Sequence, residues 1–195
     1  MDEKRIGMKD IINFTRNFPD WEDTINLNDT QRQAVKDHTQ YYYDNILHRT
    51  LNWTEYSEVL PGLFIGGEGS VYEKRLDKEN IKTVVNMALE IVDEPVDNVD
   101  MYKIGIFDSE YSPNGVWVAA AELINNAVKK GDRVLVHCAA GISRSVTAII
   151  AYLMLYRGIG WTEAYLTIRK SRPAAYPHPA LMTSLIRDVG DLFIY

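Results

Sequence analysis

A single cysteine, Cys138, is all the thiol chemistry that 195 residues offer, so no intramolecular disulfide can form and zinc sites built on cysteine pairs are excluded. Basic residues are outnumbered as well, with 21 Lys and Arg against 27 Asp and Glu for a net charge of −6. Without an advertised basic face, a general binder of nucleic acid or of anionic membranes is not expected. Long apolar runs are also missing. The longest, Val146 to Tyr156, is too short to span a bilayer, and the opening MDEKRIG lacks the apolar core of a signal peptide. The chain is therefore expected to be soluble and cytoplasmic, with no membrane partner. Its 46% apolar and 25% charged residues are ordinary for a globular protein, and the length suits one domain with an appended segment.

What is present is concentrated between Asp132 and Tyr156, DRVLVHCAAGISRSVTAIIAYLMLY. A β-branched run from Val134 to Val136 leads into His137 and Cys138, a short loop follows, and Arg144 with Ser145 opens a long apolar segment. This predicts a strand, a phosphate-sized loop and a helix. A cysteine beside a helix N-terminus is surrounded by backbone N–H groups and the positive end of the helix dipole, which favour its thiolate. Ala139, Ala140, Gly141, Ile142 and Ser143 are small or apolar, so their N–H groups can curl around an anion, with Gly141 permitting positive φ in mid-curl. Arg144 can offer a planar fork to two phosphate oxygens. Ser145 can hydrogen-bond the sulfur as it leaves a thiophosphate. Together these residues suit nucleophilic phosphoryl transfer with no metal and no other cofactor. The bland alternative, a buried cysteine in a strand-to-helix turn, fits less well with Ser145 and the flanking strand and helix.

Cleaving a phosphate ester also needs a proton donor for the leaving oxygen. Asp108 is the first acid after an alternating run over 101–106, on the loop Phe107 to Pro113, and is the chosen general acid, with Glu110 as runner-up. Elsewhere, Val59-Leu60 and Leu63 to Ile65 around Pro61-Gly62 predict a hairpin ending at Gly66-Gly67. A short helix is expected over 70–76, a buried strand over 83–86, and helices over 114–130, after Gly160 and over 179–194. Helical spacing of Met8, Ile11 and Ile12, then of Val35, Tyr42 and Ile46, makes 1–53 a helical extension and 54–195 the main domain. Strands alternating with helices predict an α/β fold, a mainly parallel central sheet flanked by helices.

The segment HCAAGISRSVTAIIAYLM resembles the HCxxGxSRS signature of the cysteine-dependent dual-specificity protein phosphatases, of the small atypical or poxvirus-like kind. The likeness covers about Glu55 to the C-terminus and implies the protein tyrosine phosphatase-like fold and a phosphorylated protein as substrate. It further implies that Asn86 braces the phosphate loop, the alternative being a strand-end cap. Arg172, by the same resemblance, can hold a second substrate phosphate, the alternative being a solvated helix-end charge. His137 is read as donating hydrogen bonds behind the loop and helping to hold Cys138 ionised, whereas His178 stands outside the chemistry. Some poxviral members dimerise through an N-terminal helix, so residues 1–53 either make a homodimer or pack on their own catalytic domain. Inositol-phosphate phosphatases of the superfamily carry Lys or Arg in the loop, and RNA 5′-triphosphatases end it in Arg-Thr. Neither holds here, which favours a monophosphorylated protein bearing phosphotyrosine or phosphoserine/threonine. A glucan, lipid or RNA 5′-phosphate substrate, or a phosphoprotein-binding module, are the competing readings.

Overall fold

A computed structural model of the chain describes residues 55–190, all within a compact unit that runs from Asn52 to Tyr195. The helical extension expected over 1–53, and any dimer contact through it, lie outside the described residues. Pro61 and Gly62 turn β1 (Tyr56–Leu60) back onto β2 (Leu63–Gly66), with Leu60 opposite Leu63. Gly62 sits at φ +80°, a left-handed conformation that glycine enters without a Cβ penalty.

The rest of the sheet is parallel. β2 lies beside β5 (Arg133–His137), β5 beside β3 (Ile81–Ala88), and β3 beside β4 (Asp100–Ile106). The order β1-β2-β5-β3-β4 puts β5 at the centre. Val84, Val85, Val134 and Val136 are fully buried, as suits β-branched residues in strands covered on both faces.

Five α-helices are described: α1 (Glu73–Lys78), α2 (Val116–Lys129), α3 (Arg144–Arg157), α4 (Trp161–Ser171) and α5 (Pro179–Val189). Every residue from Arg144 to Met154 is buried, because α3 packs on α2, α4, α5 and the sheet together. A helix apolar on all sides belongs inside. Burying Ile149, Ile150 and Leu153 contributes up to about 1.5–3 kcal/mol each. Gly158, at φ +66°, ends the helix. His178 caps α5 by accepting from the Ala180 N–H at 3.2 Å, with Pro179 in the first turn.

One element departs from expectation. In place of a helix over 70–76 there is a 3-10 turn, Glu68–Ser70, and then α1 from Glu73. Ser70 is spent within that turn, its hydroxyl donating to the Gly67 carbonyl at 2.5 Å, so the α-helix starts later. Residues 191–195, where the last helix was expected to continue, lie outside the described residues. Because β2, β5, β3 and β4 run the same way, their last residues Gly66, His137, Ala88 and Ile106 share one edge of the sheet. The connections that follow them gather there.

Candidate active site

The loop after β5 is shaped from behind. Four of its carbonyl oxygens accept from three residues: Ala139 O from Glu68 N at 2.8 Å and Ile142 O from Tyr176 N at 2.8 Å, Ala140 O from Arg172 Nη2 at 3.0 Å and Gly141 O from Arg172 Nε at 2.5 Å. Ser143 O accepts from Thr147 N and Oγ1 at 2.9 and 3.0 Å, inside the first turn of α3. With the carbonyls drawn outward, the N–H groups of residues 139–143 have no protein acceptor among the described residues. That leaves a bowl of amide donors at a helix N-terminus. Gly141 is needed for this curl. It sits at φ +66°, and a Cβ there would lie 2.5 Å from Gly66 C and O and 2.6 Å from Arg172 Nη2.

Cys138 forms the floor, its residue surface only 2% exposed. Its Sγ lies 3.3 Å from Ser145 Oγ, so the hydroxyl can donate to a thiolate. Arg144, expected to point an open fork at phosphate, is held by a carboxylate that sequence reasoning missed. Nη1 donates to Glu90 Oε2 at 2.7 Å and to Ile106 O at 3.2 Å, and Nη2 donates to Glu90 Oε1 at 2.6 Å. The Nε–H is buried and has no acceptor among the described residues. Arg144 therefore has its side, not its end, available for a substrate oxygen.

Glu90 is placed by its neighbours. Lys103 Nζ donates to Leu89 O at 2.9 Å and Ile91 O at 2.7 Å. Gly105 lies so close under Leu89 that a Cβ would come 2.8 Å from its Cα. Asp108, past the end of β4, sits with Oδ2 3.6 Å from Arg144 Nη2 and accepts from the Ser109 N–H at 2.9 Å. Glu110 is exposed two residues on, and no contact from it to Cys138 or Arg144 occurs among the described residues.

Behind the loop, His137 is fully buried. Its Nε2 lies 2.9 Å from Asp93 Oδ2 and its Nδ1 3.4 Å from Cys138 O. Both ring nitrogens thus face acceptors. The same Asp93 oxygen accepts from Asn86 Nδ2 at 2.7 Å, and Asn86 also donates to Ile91 O at 3.0 Å and accepts from Ala88 N at 2.8 Å. Asn86 therefore ties down the segment that carries Glu90 and Asp93, and among the described residues its side chain makes no hydrogen bond to residues 139–144. Its link to the loop is indirect, through Asp93 and His137.

Residues 63–188 match the family profile described as the dual specificity phosphatase catalytic domain. The chain belongs to the dual specificity phosphatase family. Similar curated proteins include dual specificity protein phosphatase 1B of Arabidopsis thaliana, 35% identical over 66% of this chain and 78% of that one. Human dual specificity protein phosphatase 14 is 33% identical over 70% of each chain. Among solved structures, that of DUSP15 is 28% identical with a TM-score of 0.63, covering 69% of this chain and 86% of that one. Membership makes the chain a cysteine-dependent phosphatase.

Arg172 lies against the phosphate loop. All three guanidinium nitrogens donate to main-chain carbonyls, those of Ala140, Gly141 and, at 3.4 Å, Glu55. With 8% of its surface exposed, it is not a solvated helix-end charge. His178, where the family pattern has Asn, fits the local geometry in its own way: besides capping α5, it donates its N–H to Ser143 Oγ at 2.9 Å.

The electrostatics of this phosphatase follow from burial and pairing. Desolvation raises the Asp108 carboxyl above the usual range, against the pull of Arg144, although 40% of the side chain meets solvent. The hydrogen bond from Arg144 lowers Glu90. Burial opposes the charge on Arg144, but Glu90, Cys138 and Asp108 outweigh it and its pKa is raised. Arg172 is lowered by burial, with attraction to Cys138 and Glu55 offsetting part of that. Among the described residues no group of three His, Cys, Asp or Glu side chains is arranged to hold a metal ion.

Proposed function

We propose that this dual specificity phosphatase hydrolyses phosphotyrosine and phosphoserine/phosphothreonine in proteins through a cysteinyl-phosphate intermediate. The phosphoryl oxygens sit in the amide bowl of residues 139–144, with Arg144 Nε completing it. Cys138 Sγ attacks phosphorus and the ester oxygen leaves, taking a proton from Asp108. Asp108 suits that task because desolvation favours its protonated form. Water then attacks phosphorus, Asp108 accepts a proton from it, and the sulfur departs with the Ser145 hydroxyl donating to it. The amides and Arg144 stabilise charge on the equatorial oxygens throughout.

The observation that carries this reading is the convergence on one sheet edge of Cys138, Ser145 at 3.3 Å, Arg144 and, 3.6 Å from it, Asp108. A protein substrate is supported by the exposed apolar side chains beside the chemistry. Phe107 precedes Asp108, and Val92 lies two residues past Glu90. Such side chains suit the neighbours of a phosphoresidue better than the polar rim of a sugar or inositol. Phosphate release from a phosphotyrosine, phosphoserine and phosphothreonine peptide panel, beside lipid, glucan and RNA 5′-phosphate panels, tests the substrate. An acid quench that leaves one phosphoryl group on the Cys138 peptide tests the intermediate. Release from the non-protein panels alone overturns the protein assignment.

A further inference from the structure

Besides Arg144, three cations among the described residues donate to the loops at the active edge. Lys103 Nζ is held by the carbonyls of Leu89 and Ile91, while Arg187 donates to Asp188 and to Pro113 O at 3.0 Å. Arg172 is the third. Its donors end on Ala140 O, Gly141 O and Glu55 O, on the outer side of the phosphate loop. It lies flat enough against that loop that a Cβ on Gly141 would come 2.6 Å from Nη2. Toward solvent the same edge presents the carboxylates of Glu90, 51% exposed, and Asp108, 40% exposed, with Glu110 beyond them.

We propose that Arg172 is a positioning residue that holds the phosphate loop with its N–H groups inward, and that the described residues in consequence offer no subsite for a second substrate phosphate. A loop of small residues has no side-chain reason to keep its carbonyls facing out. A planar guanidinium can satisfy two adjacent carbonyls at once, which an ammonium cannot do in the same geometry. Its charge also attracts Cys138. A second phosphate on the substrate would meet the carboxylates of Glu90 and Glu110 at this edge, and like charges at short range repel. The substrates are therefore singly phosphorylated at the point of docking. This rests on the hydrolytic reading above and narrows its substrate class.

The test compares the wild type with Arg172→Lys and Arg172→Met on p-nitrophenyl phosphate and on one peptide in its mono- and bisphosphorylated forms, at a temperature where all three proteins are folded. The wild type should turn over the bisphosphorylated peptide no faster than the monophosphorylated one. Arg172→Met should lose about tenfold or more in kcat/KM on all three substrates alike, and tungstate should bind it correspondingly more weakly. The acid limb of its kcat/KM profile should move to higher pH, and that limb should stay in place in Arg172→Lys, which keeps the charge. A variant that handles p-nitrophenyl phosphate normally and loses only a preference for the bisphosphorylated peptide would show Arg172 to be the second-phosphate site and overturn the proposal. Unchanged tungstate affinity in Arg172→Met would overturn it as well. Tungstate binding needs no turnover, so a wild type that binds tungstate and hydrolyses none of the substrates defeats the proposed function and still leaves Arg172 to be judged.

Discussion

Replacing Glu90 by Gln asks whether Arg144 needs a fixed counter-charge. Gln keeps the size and one acceptor oxygen but puts an NH2 donor against an arginine donor, so one of the bonds at 2.6 and 2.7 Å is lost. A hydrogen bond to a charged group contributes about 1.5–3 kcal/mol when shielded. Since 51% of the Glu90 side chain is exposed, screening moves this toward the ~0–1 kcal/mol of surface pairs. Between these limits we expect about 1–2 kcal/mol of stability lost at neutral pH, or roughly 2–8 °C in Tm for a chain of this size. The pH dependence has a definite sign. The folded Glu90 carboxyl lies below its ordinary value, chiefly through the Arg144 hydrogen bond. Its contribution is thus complete above the unfolded value of about 4.3 and is lost as pH falls through the folded value beneath it. Melting curves of wild type and Glu90→Gln taken from about pH 7 to about pH 3 should converge at the acid end. In parallel, a loosened Arg144 should lower kcat/KM on p-nitrophenyl phosphate about tenfold, which is 1.4 kcal/mol. A Tm gap that persists unchanged into acid, or a kcat/KM within about twofold of wild type, refutes the reasoning.

Cys138→Ser should abolish turnover and keep tungstate affinity, since the amide bowl and Arg144 stay in place; isothermal titration beside a phosphate-release assay checks both. Asp108→Asn should slow phenyl phosphate far more than p-nitrophenyl phosphate, and should flatten the basic limb of the pH profile, because the proton donor is gone. The same variant should not lower Tm at neutral pH, because a carboxyl raised by desolvation opposes folding as pH rises past its unfolded value. Gly141→Ala combines a left-handed residue with a contact 2.5 Å from the Gly66 backbone. It should cost about 2–4 kcal/mol and most of the activity, read by thermal melting and kcat/KM.

What could be read from the sequence alone rested on local signals. Pro61-Gly62 marks its own turn, Val134 to Val136 mark a buried strand, and the unbroken apolar face after Arg144 marks a helix enclosed on every side. Cys138, Ser145 and the loop between them lie on that one continuous unit, so their proximity follows from chain connectivity. Glu90 has no such signal. It meets Arg144 from 54 residues away, and its position depends on the bare surface of Gly105 and on the reach of Lys103. Asp93 is equally silent, one acid among several in its loop, until folding sets it against His137. Arg172 could be placed near the site from its neighbourhood, but the side of the loop its guanidinium faces is decided by tertiary partners, among them Glu55 O, 117 residues distant. The short helix expected over 70–76 fails for a related reason, since Ser70 turns its hydroxyl onto Gly67.

The outward anchoring of the loop carbonyls makes the anion bowl a property of the folded chain alone, since segments as far apart as Glu68 and Tyr176 must be assembled to hold it. A tetrahedral oxyanion that fills it therefore acts as a thermodynamic clamp. At one hundred times its dissociation constant it adds about 2.7 kcal/mol to the stability of the native state. The melting temperature becomes a titration of the pocket, ranking sulfate, phosphate and tungstate by the size of the upward shift with no substrate or chromophore required. By the same linkage, a phosphate buffer conceals the weakness of any destabilised variant, and a buffer free of oxyanions reveals it.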